Sequence, residues 1–521
     1  MNKASADHKI PGLILTGSLF LICLFFCWQV LRLNILPAPL FAALAAVLFL
    51  FVILIFLLSR STARGVRFGL AVFLSLVIAA FCLTGSYVSI RFTDTIQSML
   101  HRDSTETVIM KVFVRESDSA VSLDDLKGES IGILSQIDRA ATDEMLKELE
   151  TEFGSPVSTV EYNSPIQLLR ALSEGHVRAI LMNEHYLTLL GEEPHALSLV
   201  RALHSQSVVI RVTTPAAETG ANQQSGASSP SGSADPSGTL PSGEENQPGG
   251  SGLAEDALLA ASGSCFTVYL SGIDSRQGLV SRSRSDVNII AVVNPDTRQI
   301  ALISTPRDCA VLTPVSGDQP DTLTYTGNYG IDVSRRSLEM LYNMTIDYWF
   351  RVDFSGFVRI IDVLGGVDIN SDVSFSGGGY YFQKGVNHVN GEAALAFARE
   401  RKAFGGSDQF RGLHQMEVIK ATLRKAASSQ ILSSWDELLS AVSDCFEMTV
   451  PYDLISGLVR RQLMLSGGWN IVSYNLEGSY DIREIFSLYE PNYMFLPGED
   501  SLHTARELIR TVLNGGTAAE P

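Results

Sequence analysis

The sequence predicts an α/β protein with three N-terminal transmembrane helices, two α/β units and a flexible linker between those units. Three uncharged apolar stretches, 10–31, 33–59 and 68–90, contain 22, 27 and 23 residues. A helix needs about 20 apolar residues to cross a bilayer, so each stretch is long enough. After them, short apolar strands alternate with segments of helical spacing. The length of 521 residues also exceeds one compact domain and predicts two to four units.

Residues 1–91 are predicted to form a membrane anchor with helices over about 10–31, 38–59 and 68–90. The second helix should begin near residue 38, because Pro37 and Pro39 fit best where an N–H is not needed. Short segments that carry Lys and Arg favour the cytoplasmic side of a membrane. Here these segments are the N-terminus, with Lys3 and Lys9, and the loop between the second and third helices, with Arg60, Arg64 and Arg67. We therefore expect a multi-pass cell-membrane protein with a cytoplasmic N-terminus and extracellular C-terminal domains.

The charge balance argues against a nucleic-acid partner. Lys and Arg number 39 against 56 Asp and Glu, which gives a net charge of −17. A nucleic-acid surface needs clustered cations that displace counterions from phosphate.

Residues 104–214 are predicted to form a small α/β unit. Its phrases Ser122-Leu-Asp-Asp-Leu-Lys-Gly128, Ile131-Gly-Ile133 and Glu161-Tyr-Asn-Ser-Pro165 resemble one lobe of the type 2 periplasmic solute-binding proteins. Those proteins clamp a ligand between two lobes, whereas only one is present here. Two roles stay open for this unit, a structural or protein-contact role and solute binding.

A linker is predicted over residues 215–264. Ser, Gly, Pro, Ala and Glu dominate there and aromatic residues are absent. Such a segment cannot bury enough apolar surface to offset its ordering entropy.

A second α/β domain is predicted over 265–428, with 429–516 as its C-terminal part. Its predicted strands are Phe266–Leu270, Asn288–Val293 and Ile300–Ser304. Its predicted helices are Ser337–Asn343, Phe354–Leu364, Gly391–Arg399 and Met416–Ala427.

Charged residues stand at the ends of the apolar strands of this second domain, where ligand clefts of α/β sheets open, and in residues 397–401, which end a helix and lead to Asp408 and Arg411. Five arginines and four aspartates stand out: Arg276, Arg307, Arg399, Arg401, Arg411, Asp274, Asp286, Asp308 and Asp408. Several converging arginines favour a polyanion, because guanidinium pairs bidentately with phosphate or carboxylate oxygens. The aspartates either pair with these arginines or hold a hard cation such as Mg²⁺. For Asp308 and Arg282 we expect ordinary ion pairs.

Large apolar side chains follow in Tyr348–Phe354 and in residues 356–367. They could pack the core or line a lipid-binding groove, and the sequence alone leaves both open.

These motifs together resemble the LytR-CpsA-Psr family. The resemblance runs from about Phe266 to Lys425, in order and with sensible spacing. It rests on Gly272-Ile-Asp-Ser-Arg276, Arg284-Ser-Asp286, Ser304-Thr-Pro-Arg-Asp308, Ile346-Asp-Tyr348, Val352-Asp-Phe354, Leu364-Gly-Gly-Val367, Asn390-Gly-Glu-Ala-Ala-Leu395, Ala398-Arg-Glu-Arg401, Asp408, Arg411 and Gln415.

The resemblance implies an αβα domain with a central mixed sheet and an enzyme of envelope assembly. Such enzymes take a glycopolymer, a teichoic acid or capsular precursor, from a polyprenyl pyrophosphate and transfer it through a phosphodiester to peptidoglycan. Asp274 and Asp286 would coordinate Mg²⁺. The implied catalytic residues are Arg307, Arg399, Arg401, Asp408 and Arg411, and the implied substrate-binding residues are Arg276, Arg284 and Gln415. The polyprenyl tail would occupy the apolar groove, and membrane lipid is a further expected partner.

Three positions depart from the usual family pattern. Phe404 replaces a common acidic residue, Phe410 a glycine, and His414 the arginine before Gln415. Two other functions stay open, a non-catalytic sensor or scaffold that binds lipid carrier or solute, and a polyprenyl-pyrophosphate pyrophosphatase.

Overall fold

The computed structural model describes residues 9–33, 36, 38–60, 66–100, 104–189, 200–212, 265–274, 282–401, 408–428, 446–464, 467–488 and 491–520. The predicted linker, residues 215–264, lies outside this described part. So does Arg276.

Three long helices form the N-terminal region: α1 (Lys9–Leu33), α2 (Ala38–Arg60) and α3 (Val66–Leu100). Each contains a stretch long and apolar enough to cross a membrane, with mean hydropathy of 2.2, 3.3 and 2.3. They pack around Cys23, Ile55 and Cys82. The three predicted apolar helices are confirmed. Helix α3 continues ten residues beyond its predicted end at residue 90. The prediction followed the apolar stretch, whereas the helix also includes the polar residues Thr93, Asp94 and Gln97.

A five-stranded α/β unit follows, named here the N-terminal lobe (residues 104–212). Its elements are β1 (Ser104–Arg115), β2 (Ser130–Leu134), α4 (Arg139–Phe153), β3 (Ser158–Tyr162), α5 (Pro165–Ser173), β4 (Ala179–Asn183), α6 (His185–Leu189) and β5 (Val200–Val212). The strand order is β3-β2-β4-β1-β5. Strands β3, β2 and β4 run parallel, and β1 is antiparallel to both of its neighbours.

Two apolar layers cover the sheet of the N-terminal lobe. Met145 and Leu149 of α4 pack with Val112 of β1 on one face. Leu168 of α5 packs with Ile180 of β4 on the other face. The alternation of buried side chains along the strands therefore fixes one helix on each side.

Residues 265–520 form the C-terminal domain. Its first half contains β6 (Phe266–Ile273), β7 (Ser285–Asn294), β8 (Gln299–Ser304), β9 (Ala310–Val311), β10 (Asp321–Thr322), α7 (Leu323–Thr326), α8 (Ile331–Tyr342), β11 (Tyr348–Asp353) and α9 (Phe354–Val363). Its second half contains β12 (Val367–Ser371), β13 (Phe375–Gly377), β14 (Tyr380–Phe382), β15 (Gly385–Val389), α10 (Gly391–Arg399), α11 (Asp408–Ala426), β16 (Phe446–Met448), α12 (Tyr452–Met464), β17 (Asn470–Asn475), β18 (Gly478–Arg483), β19 (Asn492–Pro497) and α13 (Glu499–Leu513).

A six-stranded mixed sheet is the centre of this domain, with the order β16-β11-β6-β7-β8-β17. Strands β11 and β6 are parallel, as are β8 and β17, whereas β7 is antiparallel to both β6 and β8. Strands β7 and β8 form a hairpin. Its turn is fixed by the Asn294 side chain, whose Oδ1 accepts hydrogen bonds from the N–H groups of Asp296 and Thr297.

Helices cover both faces of this sheet, which gives the expected αβα architecture. On one face, Leu338 of α8 and Leu508 of α13 pack against Ile290. On the other face, Met416 of α11 packs against Ile289, with Leu458 of α12 nearby. Neighbouring residues of one strand thus face opposite cores, as the pleat requires.

Candidate active site

One edge of the central sheet collects the strand ends that carry the predicted residues. Ile273, at the end of β6, pairs with Ser285 at the start of β7 and with Asp353 at the end of β11. Ser304, at the end of β8, pairs with Ile289 of β7. Residues that follow β6, β8 and β11 therefore meet the beginning of β7.

Asp286 and Arg307 form the first charged group at this edge. Arg307 Nη1 donates to Asp286 Oδ1 over 3.1 Å, and its Nε lies 3.4 Å from Asp308 Oδ1. The three side chains are 21–32% exposed, so the group is accessible from solvent while its backbone is fixed by the sheet. The expected ion pair of Asp308 is confirmed.

Asp274 and Arg399 form a second group. Arg399 Nη2 lies 3.7 Å from Asp274 Oδ2, and the guanidinium stands 4.8 Å from the centre of the Phe354 ring. Phe354 is held at the start of α9, where Asp353 Oδ1 accepts from the Gly356 N–H over 2.6 Å as an N-cap. Half of the Arg399 side chain is exposed, so it can reach a bound anion.

Arg284 lies on the ring of Tyr325, with its guanidinium 4.9 Å from the ring centre. This position depends on a close backbone contact, because a Cβ on Gly327 would overlap the carbonyl oxygen of Ser283. The N–H of Ser283 also donates to the carbonyl of Gly327 over 3.3 Å. The segment before β7 is therefore held against the turn that follows Tyr325.

Helix α11 brings Arg411 towards the same edge. Arg411 is buried, with 8% of its surface exposed. A Cβ on the next residue, Gly412, would overlap Asn475 Oδ1 at the end of β17 and approach Ser304 Oγ. Gln415 follows one turn later and is half-buried.

The structure gives less information on three other predicted residues, Arg401, Asp408 and Arg276. Arg401 is half-buried and directly follows the last turn of α10. Asp408 begins α11, but its side chain lies outside the described residues, as does the whole of Arg276.

Two carboxylates stand where Mg²⁺ was predicted, Asp274 after β6 and Asp286 at the start of β7. Within the described residues, no group of three His, Cys, Asp or Glu side chains could hold a metal ion. Magnesium commonly takes one or two carboxylates and completes its octahedron with phosphate oxygens and water. This donor set therefore fits a cation that binds together with a phosphate ligand.

The predicted apolar segment is divided between several packing environments. Trp349 packs against one core of the central sheet, and Tyr348 and Phe350 pack against the other. Ile361 is fully buried in a cluster beneath α9 and α10. Tyr348, Trp349 and Phe350 are each only half-buried. The segment therefore contributes to core packing. Its half-exposed rings also leave apolar surface that a lipid could contact.

Sequence reasoning missed Tyr325 and Asp321 near this edge. Asp321 is fully buried and accepts hydrogen bonds from Ser487 Oγ over 2.6 Å and from the Thr322 N–H over 2.8 Å. Burial raises the pKa of its carboxyl to about 7. The backbone links it to the site, since Thr324 N–H donates to the carbonyl of Arg307. No local spacing marks either residue.

The expected ion pair of Arg282 is also confirmed, but its setting differs from expectation. Arg282 Nη2 lies 2.5 Å from Asp138 Oδ1 of the N-terminal lobe, with only 11% and 2% of the two side chains exposed. It is a buried contact between two units rather than a surface pair.

Several known proteins are similar to this chain. The TagU polyisoprenyl-teichoic acid–peptidoglycan teichoic acid transferase of Bacillus mycoides is 34% identical over 178 residues, 34% of this chain and 57% of that protein. The protein of the same name from Enterococcus faecalis is 33% identical over 190 residues, 36% of this chain and 62% of that protein. The chain thus spans about three fifths of the length of these curated relatives.

Solved structures of similar proteins include TagV of B. subtilis, which is 23% identical with a TM-score of 0.42 over 49% of this chain and 99% of that one. TagT bound to LI-WTA is 26% identical with a TM-score of 0.39, over 48% of this chain and 91% of that one.

The sequence model of the LytR_cpsA_psr family matches residues 238–502, just over half of the chain. The match includes every residue discussed at the sheet edge and extends past Lys425 into the C-terminal strands. The chain belongs to the LytR_cpsA_psr family.

Proposed function

We propose that this chain is a membrane-anchored transferase that moves a glycopolymer from a polyprenyl-pyrophosphate carrier to peptidoglycan. The observation that carries the proposal is the meeting of Arg284, Arg307 and Arg399 with Asp274 and Asp286 at one sheet edge. Family membership and the names of the TagU relatives support the same reaction.

The arginines supply permanent positive charge for the diphosphate. Arg307 and Arg399 each keep a carboxylate partner, which orients the guanidinium before substrate arrives. A guanidinium binds two phosphate oxygens at once, and such fixed charge stabilises charge that develops during phosphoryl transfer. Arg276, Arg284 and Gln415 complete substrate binding in this proposal, and Arg401 and Arg411 contribute to catalysis.

The proposed step forms one bond and breaks one. An acceptor hydroxyl of peptidoglycan attacks the phosphorus that bears the glycopolymer. A new P–O bond forms, the bond to the bridging oxygen breaks, and polyprenyl phosphate leaves with that oxygen. The hydroxyl proton passes to a base, for which we propose Asp408 at the start of α11.

Asp274 and Asp286 would hold the Mg²⁺ ion. When bound, the cation offsets negative charge on the diphosphate oxygens. Asp274 directly follows β6 and Asp286 is the second residue of the adjacent antiparallel strand β7, so both carboxylates lie at the same edge of the sheet.

The polyprenyl tail would lie against the apolar layer between the sheet and helices α11 and α12. Partly exposed side chains line that layer: Leu270, Val287, Phe350, Leu423, Leu454 and Leu458. Burying isoprenoid carbon there contributes roughly 25 cal/mol per Å². The loop cations described above put the N-terminus in the cytoplasm and this site outside the cell, in reach of peptidoglycan.

The experiment is a reconstitution of the full chain in nanodiscs with Mg²⁺ and a polyprenyl-pyrophosphate-linked glycan. Release of polyprenyl phosphate that depends on a peptidoglycan acceptor is the expected result. Donor cleavage without acceptor would instead indicate a pyrophosphatase. Tight donor binding without turnover would indicate a sensor or scaffold.

A further inference from the structure

The N-terminal lobe and the C-terminal domain meet at a buried ion pair between Asp138 and Arg282. Arg282 Nη2 contacts Asp138 Oδ1 over 2.5 Å, and Arg282 Nη1 donates to Tyr186 Oη over 2.7 Å. Asn183 Nδ2 donates to the other Asp138 oxygen over 3.1 Å. Every one of these partners of Arg282 belongs to the lobe. A carboxylate with 2% exposure needs such compensation, because an unpaired buried charge is strongly unfavourable.

Aromatic packing surrounds this pair. The fully buried ring of Tyr186 lies 6.0 Å from the ring of Tyr329 in the C-terminal domain, and Tyr329 lies 6.1 Å from Phe486. Phe486 is 2% exposed and belongs to the same apolar cluster as Leu169 of α5. The contact therefore has a buried polar centre and an apolar surround, as stable protein interfaces do.

The lobe presents the carboxyl edge of its parallel strands to this contact. Asp138 follows the carboxyl end of β2. Asn183 is the last residue of β4, which runs parallel to β2, and Tyr186 follows that strand. In parallel α/β sheets, ligands bind outside these carboxyl ends. Here a side chain of the C-terminal domain occupies that position.

Arg282 is also close in sequence to the proposed active site. It precedes Arg284 by two residues and Asp286 by four. The intervening Ser283 is held on its other side by Gly327. The segment is thus fixed between the lobe and the turn that follows Tyr325.

We propose that the N-terminal lobe is a docking domain for its own chain, which binds Arg282 and so fixes the segment that carries Arg284 and Asp286. The ligand of the lobe is a guanidinium of the C-terminal domain rather than a free solute. This inference stands whether or not the sheet edge transfers a glycopolymer.

Hydrogen exchange on the full chain in nanodiscs tests the proposal without an activity assay. Asp138→Asn keeps the shape of the side chain but removes its charge. We expect peptides over 282–290 and 323–330 to exchange about tenfold faster or more, while β1 peptides over 108–114 stay protected. Asp143→Asn is the matched control, because this carboxylate lies in helix α4, whose N-cap is Asp138, and its side chain is 46% exposed; it should leave all of these peptides unchanged.

Variants on the other side of the contact keep the test decisive if Asp138→Asn unfolds the lobe. Arg282→Met removes the charge and should deprotect residues 282–290, with 183–189 deprotected in the lobe. Arg282→Lys restores the charge but not the fork that reaches both Asp138 and Tyr186, so it should give intermediate exchange. Wild-type exchange over 282–290 in Arg282→Met would overturn the proposal and leave the edge of the lobe free for a solute.

Discussion

Arg307 donates a hydrogen bond to Asp286 across the edge of the central sheet, over 3.1 Å. The same guanidinium lies 3.4 Å from Asp308. One cation is thus shared by two carboxylates, but only Asp286 stands at the start of β7, next to the end of β6 that leads into Asp274. Asp286 is therefore the proposed metal ligand, whereas Asp308 only orients the guanidinium of Arg307.

Asp286→Asn should weaken Mg²⁺ binding selectively. Loss of a group that only orients a metal ligand already costs about 10–100-fold in metal affinity, so loss of a ligand should raise the Mg²⁺ concentration for half-maximal transfer at least about tenfold. The measurement is the transfer rate against Mg²⁺ concentration. Asp308→Asn serves as the control, because it removes the other carboxylate from the same arginine. An unchanged Mg²⁺ dependence in Asp286→Asn would remove this residue from the metal site.

Gly327→Ala should displace the segment before β7. The added Cβ would overlap a backbone carbonyl, that of Ser283, and backbone cannot move aside as a flexible side chain can. We expect a destabilisation of about 1–3 kcal/mol, with a loss of activity beyond what instability explains. Thermal unfolding and transfer rates check this. At Gly468, a Cβ meets nothing within 4 Å, so Gly468→Ala should be nearly neutral. Equal stability of the two variants would contradict the close contact.

Asp321→Asn should change the pH dependence of stability. Burial raises the pKa of Asp321 from 3.8 to about 7, so between these values the folded state holds a proton that the unfolded state has lost. The stability of the wild type therefore falls as pH rises from about 4 to about 7, by up to roughly 1.4 kcal/mol per pH unit from this group.

The amide that Asp321→Asn introduces does not titrate in this range, so the variant should lack this slope and gain stability over the wild type towards pH 7. Denaturant unfolding at several pH values measures the difference. Asp318→Asn is the control, since Asp318 is exposed in the preceding loop. Parallel pH profiles for Asp321→Asn and the wild type would show that Asp321 is ionised in the folded protein.

His414 should make the fold sensitive to acid. Its ring stacks on Phe375 at 5.4 Å and lies 4.3 Å from Phe397, and burial lowers the pKa of the imidazole below 6.5. The unfolded state thus takes up a proton more readily than the folded state, and stability falls as pH drops below about 6.5. His414→Gln should reduce this loss, whereas His503→Gln, at an exposed position, should not. The measurement is again unfolding free energy against pH, and equal acid sensitivity in both variants would contradict a buried neutral imidazole.

Much of the architecture followed from local pattern. Apolar residues on both faces of β6, β7 and β8 predicted buried strands, and their cores confirm this. Element boundaries were harder to predict. Helix α8 begins at Ile331 rather than Ser337, because its first turns contain Asp332, Ser334 and Arg335 and lack apolar periodicity.

Helix α11 shows the same limit, beginning at Asp408 rather than Met416. In its first turns, Arg411 is buried and Gly412 packs against Asn475 and Ser304, at positions where a core helix would have apolar residues. The first turns of α11 therefore lack the apolar periodicity from which a helix is predicted.

The charged residues of the site were predictable because they lie at or near the ends of strands or, like Arg399, at the end of a helix. Their partners were not. The ring of Tyr325 beneath Arg284 and the pairing of Asp138 with Arg282 join segments that are distant in the chain. Such contacts depend on tertiary packing, which single-sequence spacing does not encode.

The most direct test of the central claim compares Arg399→Ala with Arg424→Ala in the reconstituted transfer assay. Both side chains are 53% exposed and lie within 4 Å of a carboxylate, Arg399 at the sheet edge and Arg424 beside Glu417 near the end of α11. Removing a charge that stabilises the transition state costs about 10²–10³-fold in rate. The proposal predicts this loss for Arg399→Ala and a near wild-type rate for Arg424→Ala. Equal rates in the two folded variants would contradict a phosphoryl-transfer site at this edge.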